Sequence, residues 1–282
     1  MNNLLKKFQH KILIALTAYL IFTGFYLIFE GLYKDNPNTD KFPLFLTCLS
    51  VLVFYIVPFY FGLKYLIKRF NVSIEAVYLS IILGITATTY LSSEGNSLLS
   101  MIWLSIDPTR QFLNDWGAAL TAPFAEEFSK GFIVLLVFWL CKKMSLKAAF
   151  VCGLIAGLGF QMFEDVLYIH NAVFFGDISG FAEGLERVAA AFGTHAIFTA
   201  MFGCGLMVLV KKSTAVSKYH AIFWMITSLA IHFVWNSPIE WDGKTFMLGS
   251  FGLFMACYIF TVVDKLNDND QIDESKLADT TL

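Results

Sequence analysis

Eight apolar windows of near-bilayer length constrain this chain more than any other feature. They are Ile12–Phe29, Phe42–Leu63, Val72–Leu91, Gly117–Leu140, Ala148–Ile169, Val188–Val210, Ala221–Ser237 and Thr245–Val263. A helix needs about 20 mostly apolar residues to cross the hydrocarbon core. In lipid its backbone must satisfy its own hydrogen bonds. The expected fold class is therefore an all-α polytopic membrane protein of about eight transmembrane helices. The third and seventh windows are the weakest, because Glu75 and Thr86–Thr89 dilute one and the other is short. Leu98–Ile106 is apolar but too short to span, and reads as an interfacial or re-entrant helix.

Composition agrees. Charged residues make up 15% of the chain and apolar ones 57%, against about 25% charged in soluble domains. Too few charges remain to cover a water-facing surface. A net charge of −2 argues against nucleic acid as a partner, since such proteins carry a basic patch; the partner implied is the lipid bilayer. None of the five cysteines falls in an outer loop, so no disulfide framework is indicated.

Basic residues orient the spans. Fourteen lie at the N-terminus, at alternate loops (such as Lys64, Lys68, Arg69 and Lys142, Lys143, Lys147) or in the tail; five (Lys34, Lys41, Arg110, Arg187, Lys244) lie in the intervening loops. The positive-inside rule makes the rich side cytoplasmic. Both termini are then cytoplasmic and the loop 171–187 is outside. The chain reads as a single membrane domain over 1–282, with a four-helix core over 115–237 and a disordered cytoplasmic tail over 264–282.

Ionisable residues inside a membrane are costly and mark function by default. Here they fall in four consecutive windows: Glu126, Glu127 and Lys130, then Glu164 and Asp165, then His195, then His232 with Asn236 one turn on. With a rise of about 1.5 Å per residue, Glu126, Glu164, His195 and His232 lie roughly 8–14 Å from the outer ends of their windows. Four windows of alternating direction thus place them in one layer. Glu126 and Lys130 share a helix face, whereas Glu127 points about 100° away, so the two carboxylates cannot do the same job. Each feature alone has a blander reading: an i,i+4 Glu–Lys pair can be a neutralised structural pair, and a lone histidine can be a packing hydrogen-bonder. Their coincidence at one depth favours a site.

The chemistry that fits is hydrolysis by an activated water. Two histidines and a carboxylate are a common ligand set for zinc or another divalent metal with an open water position. Glu164, His195 and His232 are the candidate ligands, and Glu126 or Glu127 the general base. Lys130 would hold the second carboxylate ionised, and Asn236 would donate to a developing oxyanion.

These residues carry a resemblance. Ala122-Pro-Phe-Ala-Glu-Glu-Phe-Ser-Lys-Gly131 resembles the Glu-Glu-x-x-Lys motif of the PrsW family of bacterial intramembrane proteases. Gly159-Phe-Gln-Met-Phe-Glu164 resembles its Phe-x-x-x-Glu motif, and Phe192-Gly-Thr-His195 and His232-Phe-Val-Trp-Asn236 its two histidine motifs. All four occur in order between about Asp115 and Ser237. Asp165 stands where the family pattern leads one to expect Asn. The resemblance implies an intramembrane endopeptidase of the bacterial cell membrane. Its substrate would be a single-span membrane protein, typically an anti-sigma factor, cut at the extracytoplasmic side. A proton-coupled transporter, built on the same intramembrane groups, and a non-catalytic scaffold of the same fold are the alternatives.

Overall fold

A computed structural model describes residues 2–33, 37–107, 109–141, 143–176, 179–211, 216–266 and 272–273. The described residues are almost wholly helical: α1 (Asn2–Tyr33), α2 (Phe42–Leu49), α3 (Val53–Arg69), α4 (Ile74–Ile85), α5 (Ala87–Ile106), α6 (Gln111–Cys141), α7 (Leu146–Phe174), α8 (Gly180–Ala191), α9 (His195–Lys211), α10 (Lys218–Asn236) and α11 (Lys244–Asp264). Serine side chains start three of them. Ser73, Ser145 and Ser217 accept the backbone N–H of Ala76, Ala148 and His220, filling donors that the first turn leaves open.

Six segments are long and apolar enough to cross a membrane: Phe8–Tyr33, Thr39–Arg69, Ile74–Ile106, Leu146–Phe174, Gly180–Lys211 and Lys244–Asp264. The chain is a multi-pass membrane protein. α6 and α10 are not among the six, although both contain windows read from the sequence. α6 carries Glu126, Glu127 and Lys130, and α10 carries His232.

Burial separates centre from periphery. The most apolar windows of Leu146–Phe174 and Gly180–Lys211 are each 83% buried, against 17% for Phe8–Tyr33 and 22% for Lys244–Asp264. α7 packs along α9, α10 closes on α9, α5 lies along α6, and α4 lies along α7. Small residues permit the central contact. A Cβ on Gly157 of α7 would stand 2.8 Å from Ala196 Cα and 2.7 Å from Thr199 Oγ1. The peripheral helices instead expose Phe22, Phe25, Phe29, Phe246 and Phe254, the surface expected against lipid tails.

Several sequence expectations need correction. Leu98–Ile106 is no separate interfacial helix; it is the second half of α5, and α4 and α5 form one broken unit across residues 74–106. The break sits at Thr86, where Thr86 and Thr89 hydroxyls donate to Ile82 O and Ile85 O at 2.7 Å and Thr88 donates to Gly84 O. Such back-bonding bends helices. The second window is likewise divided, into α2, a short 3-10 turn over Ser50–Leu52 and α3. The loop expected over 171–187 is mostly helix: α7 runs on to Phe174 and α8 starts at Gly180.

The sixth window is broken at 192–194, so His195 opens α9 rather than lying inside a continuous helix. Of the tail expected to be disordered, only 264–266 and 272–273 are among the described residues. Ile272–Asp273 pairs antiparallel with Lys143–Met144.

Candidate active site

The geometry begins with one turn of α6. Glu126 and Glu127, four and three residues before Lys130, both reach its ammonium: Nζ lies 3.1 Å from Glu126 Oε2 and 2.8 Å from Glu127 Oε1. Lys130 and Glu127 have no exposed surface. Pro123 precedes them by one turn and, lacking an N–H, removes one rung of the helix. Lys130 also lies 2.9 Å from His195 Nδ1 and 4.3 Å from the ring centroid of Phe160.

The two imidazoles arrive from other helices. His232 on α10 places Nδ1 3.1 Å from Glu127 Oε1, with Nε2 3.9 Å from Glu126 Oε2. His195 places Nδ1 3.6 Å from Glu126 Oε2 and Nε2 3.1 Å from Glu164 Oε2. The two rings stand 5.3 Å apart and nearly perpendicular. Each imidazole therefore turns one nitrogen toward Glu126 and has a carboxylate at the other.

His195 owes its place to a break that α7 holds. Gln161 accepts from the Thr194 hydroxyl at 3.2 Å and donates to Ala191 O at 3.5 Å, bridging the end of α8 and the start of α9. A second charged group lies beside it. Arg187 of α8 donates to Glu164 and Asp165, each at 2.5 Å, and Tyr55 of α3 donates to Asp165 at 2.8 Å.

A polar cavity of about 160 Å³ is lined by Glu126, Glu164, His195, His232 and Asn236, with Tyr168 and Arg187 on its wall. Five of the seven residues singled out in the sequence thus face one space. Glu127 and Lys130 do not line it; they stand behind Glu126. The two carboxylates thus differ in access to the cavity, although both share Lys130. Asn236 makes no hydrogen bond to the cluster among the described residues. Arg187, Tyr55 and Gln161 were missed in the sequence. Arg187 is read there as an outer-loop cation and Tyr55 lies far from the motifs in the chain, whereas Gln161 stands inside the Gly159–Glu164 motif but carries no charge to mark it.

Four residues could hold a metal ion: one donor atom each from Glu126, Glu127, His195 and His232 lies within 4.8 Å of the others. Glu164 is outside this set and is instead engaged by Arg187 and His195 Nε2. Two observations fit the donors to a divalent cation. Glu127 Oε2 is buried with no hydrogen-bond partner. Each histidine also has a carboxylate on its second ring nitrogen, the usual support for a metal-bound imidazole. Lys130 shares His195 Nδ1 and Glu126 with such an ion, so its ammonium would compete for the same lone pairs.

A helical membrane bundle that gathers two glutamates, a lysine and two histidines into one buried cluster beside a polar cavity belongs to the class of membrane proteins with intramembrane polar chemistry. Within that class the chain belongs to the PrsW family: the model of the PrsW family intramembrane metalloprotease matches residues 73–263, more than half of the chain. The match covers the chain from the start of α4 to the last turn of α11, well beyond the four motifs, while α1 to α3 precede it. No curated protein and no solved structure matches the chain.

Proposed function

We propose that this protein cleaves a single-span membrane protein near the extracytoplasmic face of a bacterial cell membrane, by a water that Glu126 activates. An anti-sigma factor is the substrate class implied by the family resemblance. The observation that carries the reading is the meeting of Glu126 with two carboxylate-backed imidazoles at one cavity. Glu126 is the member of the acid pair that lines this space, so a water there can give it a proton.

The water oxygen then attacks the scissile carbonyl. The side-chain amide of Asn236, at the same cavity, donates to the oxyanion. Glu126 returns its proton to the departing amine as the C–N bond breaks. Glu127 holds His232 and Lys130; Glu164 holds His195; Lys130 offsets the charge of the acid pair.

His195, His232 and the free oxygen of Glu127 are proposed to hold a divalent ion, zinc by the character of the donors. Bound there, such an ion supplies a lowered water pKa and polarisation of the carbonyl. In this assignment Glu127 takes the ligand place that sequence spacing gave to Glu164, which becomes the orienting carboxylate of His195.

The distribution of basic residues supports cytoplasmic termini and eight crossings, with α6 and α10 as the two additional spans. Ser179→Cys, just before α8, tests the orientation. Membrane-impermeant thiol labelling of intact cells is expected; labelling only after permeabilisation overturns it. The activity is tested with purified protein in proteoliposomes. Release of a fragment from a single-span reporter is expected. Proton-driven solute uptake without any cleavage would move the protein to the transporter class.

A further inference from the structure

A second opening also reaches Glu126. It is a groove of about 440 Å³ lined in part by Glu126 and Glu164, so these two carboxylates border both spaces. One wall is a polar stripe of α5: Thr89, Ser92, Ser93, Asn96, Ser97 and Ser100. At about 100° per residue these fall within an arc of roughly 140° on one helix face. The other wall is apolar, from Phe160, Phe163 and Leu167 of α7. α5 packs closely on α6 beside these residues: a Cβ on Gly95 would stand 3.0 Å from Ala125 Cβ, one residue before Glu126.

Beyond Thr89, whose hydroxyl donates to Ile85 O, the stripe is not spent on internal bonding among the described residues. Ser92 Oγ and Asn96 Oδ1 are buried without a hydrogen-bond partner, and Ser97 and Ser100 are exposed. An unpaired buried polar atom costs about 1–3 kcal/mol. Two such atoms, continued by the exposed hydroxyls of Ser97 and Ser100 and facing an apolar wall, call for an occupant with polar groups on one side and apolar groups on the other.

We infer that this groove binds the substrate as an extended peptide, its backbone along the α5 stripe and its side chains against the α7 wall. The inference rests on the proteolytic reading above and gives it a binding site. A peptide bond inside a helix is shielded by its own hydrogen bonds, and unwinding it in a membrane exposes N–H and C=O groups that lipid cannot satisfy. The hydroxyls and amide of α5 replace those partners and lead the strand to Glu126. From Thr89 to Ser100 the stripe is about 16 Å long by helical rise, room for roughly five residues of extended chain.

The test uses Glu126→Gln protein in nanodiscs with a synthetic single-span peptide, leucine-rich with a central Ala-Gly-Ser segment. A single cysteine is walked along the peptide, and the protein carries either Ser93→Cys or Ser100→Cys. Disulfide formation is mapped by mass spectrometry, and the exposed native Cys257 of α11 gives the level of random encounter. Ser93 and Ser100 are about 10 Å apart along α5, so an extended peptide moves its preferred partner by about three residues between the two variants. That shift is the expected result. A shift of about seven residues would mean a helical occupant, and pairing no stronger than at Cys257 would mean a stripe facing lipid or water; either overturns the inference. Cleavage of the same peptide by the wild-type protein is scored separately. Cleavage without the three-residue shift removes only the groove assignment, whereas the shift without cleavage keeps the groove and counts against hydrolysis.

Discussion

Two charged clusters meet at His195, and they are built in opposite ways. The inner one joins Glu126, Glu127 and Lys130 of α6 to His195 and His232. The outer one joins Glu164 and Asp165 of α7 to Arg187 of α8 and Tyr55 of α3. In the outer cluster each group has its partner, with Arg187 between both carboxylates and Tyr55 on the second. The inner cluster leaves Glu127 Oε2 without one and turns Glu126 to a cavity. A saturated ion pair fixes geometry; an incompletely satisfied cluster has capacity left for a ligand and a proton. The outer cluster therefore reads as scaffolding for His195 and the inner one as the reacting centre.

Substitutions can break this distinction. The largest effect is expected at Glu126. Glu126→Gln keeps the shape and removes the base, so cleavage should fall about 10²–10⁴-fold, the usual contribution of a general base, with folding and ion content unchanged. Comparable activity in a folded Glu126→Gln protein would take the base away from Glu126, and the same result for Glu127→Gln would take it away from α6.

Next comes the ion. Purified wild-type protein should hold about one zinc per chain by elemental analysis, as a single site of this donor type does. His195→Ala, His232→Ala and Glu127→Gln should each lose it, and exhaustive chelation should stop cleavage. Full activity in rigorously metal-free protein would leave the imidazoles only the role of hydrogen-bond donors.

A smaller loss is expected at the link between the clusters. Glu164→Gln should lower ion affinity or activity about 10–100-fold, as for carboxylates that orient a ligating histidine. Ion content falling to zero would restore Glu164 as a direct ligand, the role that its sequence position first implied. The smallest effect belongs to Tyr55→Phe, which removes one hydrogen bond to Asp165 while Arg187 remains. A stability loss of about 1.5–3 kcal/mol, typical of a bond to a charged group, should appear in thermal unfolding with cleavage nearly unchanged. A loss as large as that of Glu126→Gln would make the outer cluster part of the chemistry.

The same contrast explains what could be read in advance. The inner cluster is legible because helical spacing is local: three and four residues put Glu127, Glu126 and Lys130 together before any tertiary structure is known. The two histidines are legible because an ionisable residue in an apolar window stands out. Arg187 and Tyr55 are not, since their contacts join α7 to elements 22 and 110 residues away in the chain. The helical architecture follows from hydropathy, but the breaks do not. Thr86 and the 192–194 segment lie inside apolar runs with no proline; hydropathy does not register the threonine back-bonding that ends α4 or the Gln161 bridge beside which α9 begins at His195. The depth reading assumed continuous helices; the residues it grouped line one cavity, while His195 stands at the start of α9 just after the break.

The most direct test of the central claim is the rate of fragment release from a single-span reporter in proteoliposomes, measured for wild-type and Glu126→Gln proteins matched for folding and zinc content. The account predicts cleavage by the first and a loss of at least about a hundredfold in the second. Equal rates, or no cleavage by either alongside proton-coupled uptake, would contradict it.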